Sequence, residues 1–170
     1  MRVLLSESEI QTRVKELGNS ISKDFAGKDI LLLGILKGSF LFLADLARCI
    51  DCNTEIQFLQ ATSYGASTKS SGHVNLFYDE NIMFQKKHLI VVEDIIDTGL
   101  TLQSLLEELG KKNPLSISIC SLLLRKGKTI NTNAKLYHGF EIEDHFVVGY
   151  GLDYNEKYRN LRDIFVLNHQ

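Results

Sequence analysis

Short apolar runs that alternate with helical patterns are the feature that most constrains what this chain can fold into. Residues 30–36 (ILLLGIL), 87–93 and 116–124 form such runs, each of strand length. Runs without polar alternation are typical of parallel strands that are covered on both faces. Between them, residues 40–47 and 102–109 have apolar residues at helical spacing. This order predicts an α/β fold with a twisted, mostly parallel sheet flanked by helices, and with ligands at the carboxyl ends of its strands.

Patterns at the two ends of the chain complete the predicted architecture. An opening helix is indicated by apolar residues at helical spacing, namely Ile10, Val14, Leu17, Ile21 and Phe25. Ser6 or Ser8 can cap its start. From about residue 137, short strand-like pieces alternate with polar turns, which predicts a smaller hood lobe over the sheet.

Length and composition indicate one ordinary globular domain. No linker rich in Pro, Gly or Ser divides the 170 residues, so we expect a single domain over residues 1–170. Its core would lie at about 27–125 and its hood at about 1–10 and 137–170. The formal net charge of -2 argues against a general electrostatic grip on nucleic acid. We also expect no membrane partner, because no apolar run is long enough for a signal peptide or a bilayer span.

The three cysteines favour a reducing compartment. Cys49, Cys52 and Cys120 are an odd number in a chain without a secretion signal, which predicts reduced thiols and a cytoplasmic location. Cys49 and Cys52 form a C-x-x-C that could be a redox site or half of a zinc site. No second such pair follows, and the histidines lack zinc-ligand spacing, so a structural role is favoured.

A polar segment at residues 63–72 (SYGASTKSSG) separates two strand-like stretches at 55–61 and 74–78. Its small and turn-forming residues are typical of a loop. Ser63 and Tyr64 would begin a lid over a binding site. A solvated hairpin tip is an equally good interpretation of the composition alone.

The stretch at residues 89–102 (LIVVEDIIDTGLTL) carries the clearest chemistry. A buried strand leads into Glu93 and Asp94, and a Thr/Gly turn then opens a helix. Amides and hydroxyls of such a turn, together with the helix N-terminus, can bind a phosphate. Carboxylates at the strand exit can bind ribose hydroxyls or magnesium. The alternative is that Asp97 or Thr98 simply caps the helix. A P-loop is disfavoured because the Walker lysine is absent.

The segment EDIIDTG is similar to the signature with which type I phosphoribosyltransferases bind phosphoribosyl pyrophosphate (PRPP). Four more segments resemble the hypoxanthine-guanine branch of that family, in the same order: LKGSF (36–40), SYG (63–65), GFEI (139–142) and FVVGYGLDYNEKYRNL (146–161). The resemblance implies the type I fold with its hood. It also implies a cytoplasmic purine salvage enzyme that uses Mg²⁺ and forms a homodimer or homotetramer. The reaction would join PRPP to N9 of hypoxanthine or guanine, giving IMP or GMP and pyrophosphate.

Residue roles at the phosphates follow from the resemblance. Asp97 would be the acid/base group near the purine N7. Glu93 and Asp94 would hold the ribose hydroxyls and, with Asp153, would be the metal ligands. The groups for the 5'-phosphate and pyrophosphate would be Asp97, Thr98, Gly99, Leu100 and Thr101, with Lys37, Gly38 and Arg159. The family has a cis peptide in the loop at Lys37, although the cost of a non-proline cis bond predicts a trans bond from sequence alone.

The resemblance also assigns a purine pocket. Phe146 would stack on the base, the Val147 main chain would read its edge, and Asp153 would lie on the side of the 2-amino group. The family places a lysine against the 6-oxo oxygen, and Arg125, followed by Lys126, stands there in this chain. Either cation can donate to a carbonyl oxygen, so both are candidates. Leu100 also replaces a usually polar residue, which is acceptable if that position contributes only its N–H.

Two other functions stay open on the sequence. A regulator that senses PRPP on the same fold and binds nucleic acid would need a basic patch or a helix-turn-helix, and neither is visible. A transferase that prefers xanthine or adenine would differ by as little as one contact in the base pocket.

Overall fold

The computed structural model describes residues 1–63, 74–128 and 132–167. In chain order the elements are β1 (Arg2–Leu5), α1 (Glu7–Asp24), β2 (Asp29–Leu36), α2 (Phe40–Arg48), β3 (Asn53–Ser63), β4 (Val74–Tyr78), β5 (His88–Ile96), α3 (Leu100–Gly110), β6 (Ser116–Arg125), β7 (Lys135–Ile142), β8 (Val147–Val148) and β9 (Ile164–Val166). The predicted strands and helices are therefore present, with bounds that differ by a few residues.

The main sheet has six strands in the order β4-β3-β2-β5-β6-β7. Strands β3, β2, β5, β6 and β7 are parallel, and β4 pairs with β3 in the antiparallel sense at one edge. Helices α1 and α2 lie on one face of this sheet and α3 lies on the other. The predicted α/β fold class, a mostly parallel sheet flanked by helices, is confirmed.

Alternate residues of the central strands enter two different hydrophobic clusters. Leu32 and Ile90 pack with residues of α1 and α2 on one face, whereas Leu33 and Val91 pack with residues of α3 on the other. Strands buried on both faces need apolar side chains at every position, which explains their continuous runs. The opening helix begins at the predicted cap, because Ser6 and Glu9 form a capping box.

A second, three-stranded sheet in the order β1-β9-β8 forms the hood. Its pairs are antiparallel, and its residues Val147, Ile164 and Val166 belong to the same hydrophobic cluster as α1 and α2. The predicted hood includes residues 137–142, but these residues lie in β7, which pairs with β6 at the edge of the main sheet. The sequence does not distinguish the two cases, because an edge strand with alternating burial has the same pattern as the short strands of the tail.

The cysteines have the surroundings of structural thiols. Cys49, Cys52 and Cys120 are all free. Burial raises the pKa of the Cys120 thiol, and burial together with Asp51 raises the pKa of Cys52. The Cys52 thiol donates to the carbonyl of Phe25 over 3.4 Å. Raised pKa values disfavour the thiolate that redox or metal chemistry would need.

None of the helices in the described ranges is long and apolar enough to cross a membrane.

Candidate active site

The site lies where β5 meets the first turn of α3. A cavity of about 200 Å³ opens there, lined by Glu93, Ile95, Ile96, Asp97, Thr98, Gly99, Thr101 and Leu102. Parallel strands place their carboxyl ends at one edge of the sheet, so the turn after β5 stands beside those after β2 and β6.

The turn before α3 has one long internal bond, in which the Leu100 amide donates to the Thr98 hydroxyl oxygen over 3.5 Å. The N-cap residue is Gly99 with φ of 73°, and no side chain caps the helix. A left-handed conformation of this kind suits glycine. Asp97 is therefore not a helix cap, and its side chain is 59% exposed at the mouth of the cavity. Uncapped amides at a helix N-terminus are a ready binding site for phosphate.

Two adjacent carboxylates at the end of β5 are poorly solvated. Burial, followed by the nearby Asp94, raises the pKa of Glu93 well above its usual value. Burial also raises the pKa of Asp94 to about 6, although hydrogen bonds from backbone amides oppose this shift. The Oε2 atom of Glu93 is buried and has no hydrogen-bond partner among the described residues. Buried polar atoms are usually paired, so this oxygen is suited to accept from a ligand or bind a metal.

The loop after β2 packs directly against the acidic pair. A Cβ built on Gly38 would overlap the Asp94 carboxylate, and one built on Gly151 would overlap the Gly38 carbonyl. The Leu36–Lys37 peptide bond is cis, so the trans bond expected from its cost is wrong. Three segments thus meet with no room for side chains between them: the ends of β2 and β5 and the hood loop around Gly151.

The two predicted pyrophosphate cations are held by hood carboxylates. Lys37 Nζ donates to Glu156 Oε2 over 3.0 Å, and Arg159 Nη2 lies 3.4 Å from the same oxygen. Arg159 also pairs with Asp153 Oδ1 at 3.0 Å and donates to the Gly151 carbonyl over 2.8 Å. The structure therefore brings Lys37, Arg159 and Asp153 together beside the acidic pair.

Arg125 and Lys126 point in different directions. The Arg125 side chain is 12% exposed, and its Nε lies 3.8 Å from Asp97 Oδ1. Lys126 is mostly exposed and pairs with Glu143 at 2.8 Å. Phe146 stands across from Tyr154, with ring centroids 5.6 Å apart in an edge-to-face arrangement, and Val147 is buried in the hood sheet. Of the two cations, Arg125 is the one beside the candidate acid/base.

Comparison with known proteins identifies the family. A model of the phosphoribosyl transferase domain matches residues 4–155. The chain belongs to the phosphoribosyltransferase family. It is 43% identical over 173 residues to the hypoxanthine-guanine phosphoribosyltransferase of Mycobacterium bovis, covering 98% of this chain and 85% of that protein. It is 44% identical over 167 residues to the Bacillus subtilis protein of the same name, covering 98% and 92%.

Solved phosphoribosyltransferase structures agree with this assignment. A hypoxanthine-guanine phosphoribosyltransferase from Bacillus anthracis, with a HEPES molecule in its active site, superposes with a TM-score of 0.91 at 43% identity, covering 99% of both chains. A hypoxanthine phosphoribosyltransferase from Staphylococcus aureus gives a TM-score of 0.91 at 42% identity, covering 99% of this chain and 91% of that one. The type I phosphoribosyltransferase fold expected from the resemblance is thereby confirmed.

Sequence reasoning missed two residues of this phosphoribosyltransferase site. Glu156 contacts both candidate pyrophosphate cations, and Gly151 brings the hood loop against Gly38. The sequence signal for Gly151 is that two glycines flank Tyr150. In the structure both glycines have positive φ. Glu156 gave no signal, since a single acidic residue in a polar turn is usually a solvated charge.

One sequence prediction, the lid, lies largely outside what the structure describes. Ser63 is the last residue of β3, but Tyr64 and the rest of the predicted lid to residue 72 fall outside the described residues. Within the described residues, no group of three or more His, Cys, Asp and Glu side chains is arranged to hold a metal by itself. The predicted ligands Glu93, Asp94 and Asp153 therefore do not form such a group.

Proposed function

We propose that this protein transfers the 5-phosphoribosyl group of PRPP to N9 of hypoxanthine or guanine, releasing pyrophosphate. The observation that carries the proposal is the meeting of an acidic pair, an uncapped phosphate turn and two cations at one edge of the sheet. Relatives that are 42–45% identical over nearly the whole chain have the name of this activity.

The phosphate groups of PRPP would occupy two neighbouring positions. The 5'-phosphate would be held by Asp97, Thr98, Gly99, Leu100 and Thr101. Leu100 would contribute only its amide, because an apolar side chain offers no hydrogen bond and this residue is 67% exposed. Lys37, Gly38 and Arg159 would hold pyrophosphate. The planar guanidinium of Arg159 can present two parallel donors to phosphate oxygens once its carboxylate partners give way.

Glu93, Asp94 and Asp153 fit the demands of a magnesium site completed by substrate. Magnesium is typically held by one or two carboxylates together with phosphate oxygens and water. The unpaired Oε2 of Glu93 and the raised pKa of Asp94 both mark carboxylates that a nearby cation would stabilise. When bound, the ion would neutralise charge on the departing pyrophosphate.

The reaction would be a displacement at the anomeric carbon of the ribose. The bond from C1 to the pyrophosphate oxygen breaks, its electron pair leaves with pyrophosphate, and a bond forms from C1 to purine N9. Asp97 accepts or shares the proton that the purine loses. Positioned groups of this kind contribute about 10²- to 10⁴-fold in rate. Closure of the predicted lid that begins at Ser63 and Tyr64 would keep water from the reactive sugar.

In the purine pocket, the geometry favours Arg125 over Lys126 for the 6-oxo oxygen. Arg125 lies beside Asp97 and is shielded from solvent, whereas Lys126 is turned outward to Glu143. Phe146 would stack on the base, with the Val147 main chain and Asp153 along its edge. A cytoplasmic location, assembly as a homodimer or homotetramer, and the organisation as a single domain stay predictions.

A four-base assay tests the function. Purified protein would be incubated with PRPP, magnesium and one of hypoxanthine, guanine, xanthine or adenine, and mononucleotide and pyrophosphate would be measured. We expect product with hypoxanthine or guanine, and at most slow reaction with adenine, which lacks the 6-oxo group. Product with xanthine alone would replace the proposed base specificity. Absence of product with all four bases would contradict the proposed function.

A further inference from the structure

We propose that Arg125 is a positioning residue that holds the aromatic wall of the purine pocket in place, in addition to facing the base. This inference rests on the proposed function for the identity of the pocket. It assigns to the guanidinium a second task, one that a lysine in the same place cannot perform. The task is to tie the end of β6 to the segment that leads into Phe146.

The contacts of one guanidinium nitrogen support this role. Arg125 Nη1 donates to the main-chain carbonyl of Glu143 over 3.0 Å and to that of His145 over 2.6 Å. The Lys126 amide adds a third bond by donating to the Ile142 carbonyl over 2.9 Å. These carbonyls belong to the four residues immediately before Phe146. These three main-chain bonds join the segment before Phe146 to the end of β6, and two ion pairs add to them, Arg125 Nη1 with Asp144 Oδ1 at 3.4 Å and Lys126 with Glu143 at 2.8 Å.

The other side of the wall is fastened independently. The Leu167 amide donates to the Phe146 carbonyl over 2.9 Å, and Val147 pairs with Val166 in the hood sheet. Phe146 therefore stands between an anchor in β9 and an anchor at Arg125. Phe146 is 39% exposed and its ring meets Tyr154 edge to face, so the backbone anchors on either side add to the side-chain contacts that position it.

The two edges of the guanidinium have different surroundings. Nη1 is engaged with the carbonyls, whereas Nε is buried, lies 3.8 Å from Asp97 Oδ1 and has no hydrogen-bond partner among the described residues. A rigid fork can donate in two directions at once, which leaves the Nε edge for the site. A lysine ammonium is a compact charge on a flexible stem, so it could either face the base or bond one of these carbonyls.

Arg125→Lys separates the two tasks, because it keeps a cation and loses the fork. We expect KM for hypoxanthine to rise about tenfold, the effect of losing one or two ordinary hydrogen bonds. The kcat value should change less than about twofold, and KM for PRPP should stay the same, because the phosphate groups lie at other segments. An unchanged KM for hypoxanthine would overturn the proposal.

A second measurement does not depend on activity. The chain has no tryptophan, so Phe146→Trp introduces a single fluorescent reporter in the wall. Time-resolved anisotropy would be compared between Phe146→Trp and the double variant with Arg125→Lys, after circular dichroism has shown that both are folded. We expect a larger nanosecond component in the double variant. If the anisotropy is unchanged, Arg125 does not hold the wall, whatever happens to KM. Should Arg125→Lys fail to fold, Arg125→Gln serves the same comparison.

Arg13 provides a matched control. It lies on α1, and its guanidinium likewise donates to two main-chain carbonyls, those of Gly139 at 2.9 Å and His138 at 3.0 Å. Arg13→Lys therefore makes the same chemical change outside the pocket. We expect it to leave both KM for hypoxanthine and the anisotropy of the Phe146→Trp reporter unchanged. An equal effect of Arg13→Lys would overturn the local role of Arg125. If the unaltered protein makes no nucleotide, the proposed function fails, while the anisotropy comparison still decides this inference.

Discussion

Polar side chains at the amino and carboxyl ends of the main sheet differ in how completely they are paired. At the amino end, polar side chains are paired with one another: Asn53 Nδ2 donates to Asp29 over 2.5 Å, Lys87 pairs with Glu55 at 2.5 Å, and the His88 ring bonds the Ser116 hydroxyl at 2.7 Å. At the carboxyl end, Glu93 Oε2 and Arg125 Nε are buried without hydrogen-bond partners among the described residues.

This difference shows how one scaffold separates stability from function. Burying a polar atom without a partner costs free energy, so the carboxyl end is less stable in the absence of ligand than its apolar strands would allow. The same unpaired atoms are ready to bind PRPP, a metal or a purine. Changes at the carboxyl end should therefore alter activity strongly, whereas matched changes elsewhere should have little effect.

The largest effect is expected for the candidate acid/base. Asp97→Asn should lower kcat by about 10²- to 10⁴-fold while the affinity for PRPP stays within about threefold, because the amide cannot take the purine proton. Steady-state kinetics and calorimetric titration would measure the two quantities. Asp29→Asn, at the amino end of the sheet, is the control and should leave kcat unchanged. An unaltered kcat in Asp97→Asn would remove the role assigned to this carboxylate.

A methyl group in the loop after β2 should be almost as damaging. In Gly38→Ala the new Cβ would overlap the Asp94 carboxylate, so either the pyrophosphate loop or this carboxylate must shift out of place. We expect KM for PRPP to rise about 100-fold, as misplacement of a binding group by an ångström can cause. Gly110→Ala is the control, since nothing lies within 4 Å of its Cβ. Equal kinetics for the two variants would mean that the close approach is unimportant.

The stability of the carboxyl end should depend on pH through Asp94. Its folded pKa of about 6 lies above the usual value, so the folded state holds a proton that the unfolded state releases. Stability then falls as pH rises from about 4 to 6 and stays lower above that window. Asp94→Asn removes this penalty, so Tm should increase by roughly 6 to 12 °C at pH 8 and should change little at pH 4.

Asp24, at the end of α1, gives the opposite sign for comparison. Hydrogen bonds from Lys135 and Tyr137 hold the pKa of Asp24 below its usual value. The ionised carboxylate therefore stabilises the fold when the pH is above the usual pKa, and this stabilisation is lost as the pH falls through the lowered pKa. Asp24→Asn should therefore lower Tm at pH 8. Scanning calorimetry of both variants from about pH 2 to about pH 8 covers both windows and measures the two trends. A lower Tm for Asp94→Asn at pH 8 would show that its bond from the Ile95 amide outweighs its burial.

The smallest effect concerns the carboxylate beside the pyrophosphate cations. Glu156 bonds both Lys37 and Arg159, so it competes with an incoming anion for the same donors. Glu156→Gln should strengthen PRPP binding about threefold at low salt, with a smaller gain at high salt. Glu16→Gln, in an exposed pair with Arg13, is the control. Weaker binding by Glu156→Gln would indicate that this carboxylate holds the cations in place for the substrate.

Local patterns were sufficient to predict most of the main sheet. The run at residues 30–36 and the leucines of α3 are signals that a few neighbouring residues contain, and the structure has a strand and a helix there. The acidic pair and the phosphate turn were also readable, because they follow one another along the chain. Strand β7 was assigned to the hood instead, since an edge strand has the same alternation as a hood strand.

Contacts between distant parts of the chain could not be predicted in this way. The bonds from Arg125 to the carbonyls of Glu143 and His145 join residues 18 and 20 positions apart, and those from Lys37 to Glu156 join residues 119 apart. Nothing in the local sequence indicates which exposed acid meets which cation. The cis bond before Lys37 agrees with what the family resemblance implies, whereas the general cost of a non-proline cis bond predicts trans, because no local sequence signal marks the exception.

A crystal structure of the protein soaked with PRPP and magnesium would show where the sugar phosphate binds. We expect electron density for the 5'-phosphate at the first turn of α3, for the ribose beside Glu93 and Asp94, and for pyrophosphate between Gly38 and Arg159. Density for PRPP at any other surface, with the carboxyl end of β5 still bare, would contradict this expectation.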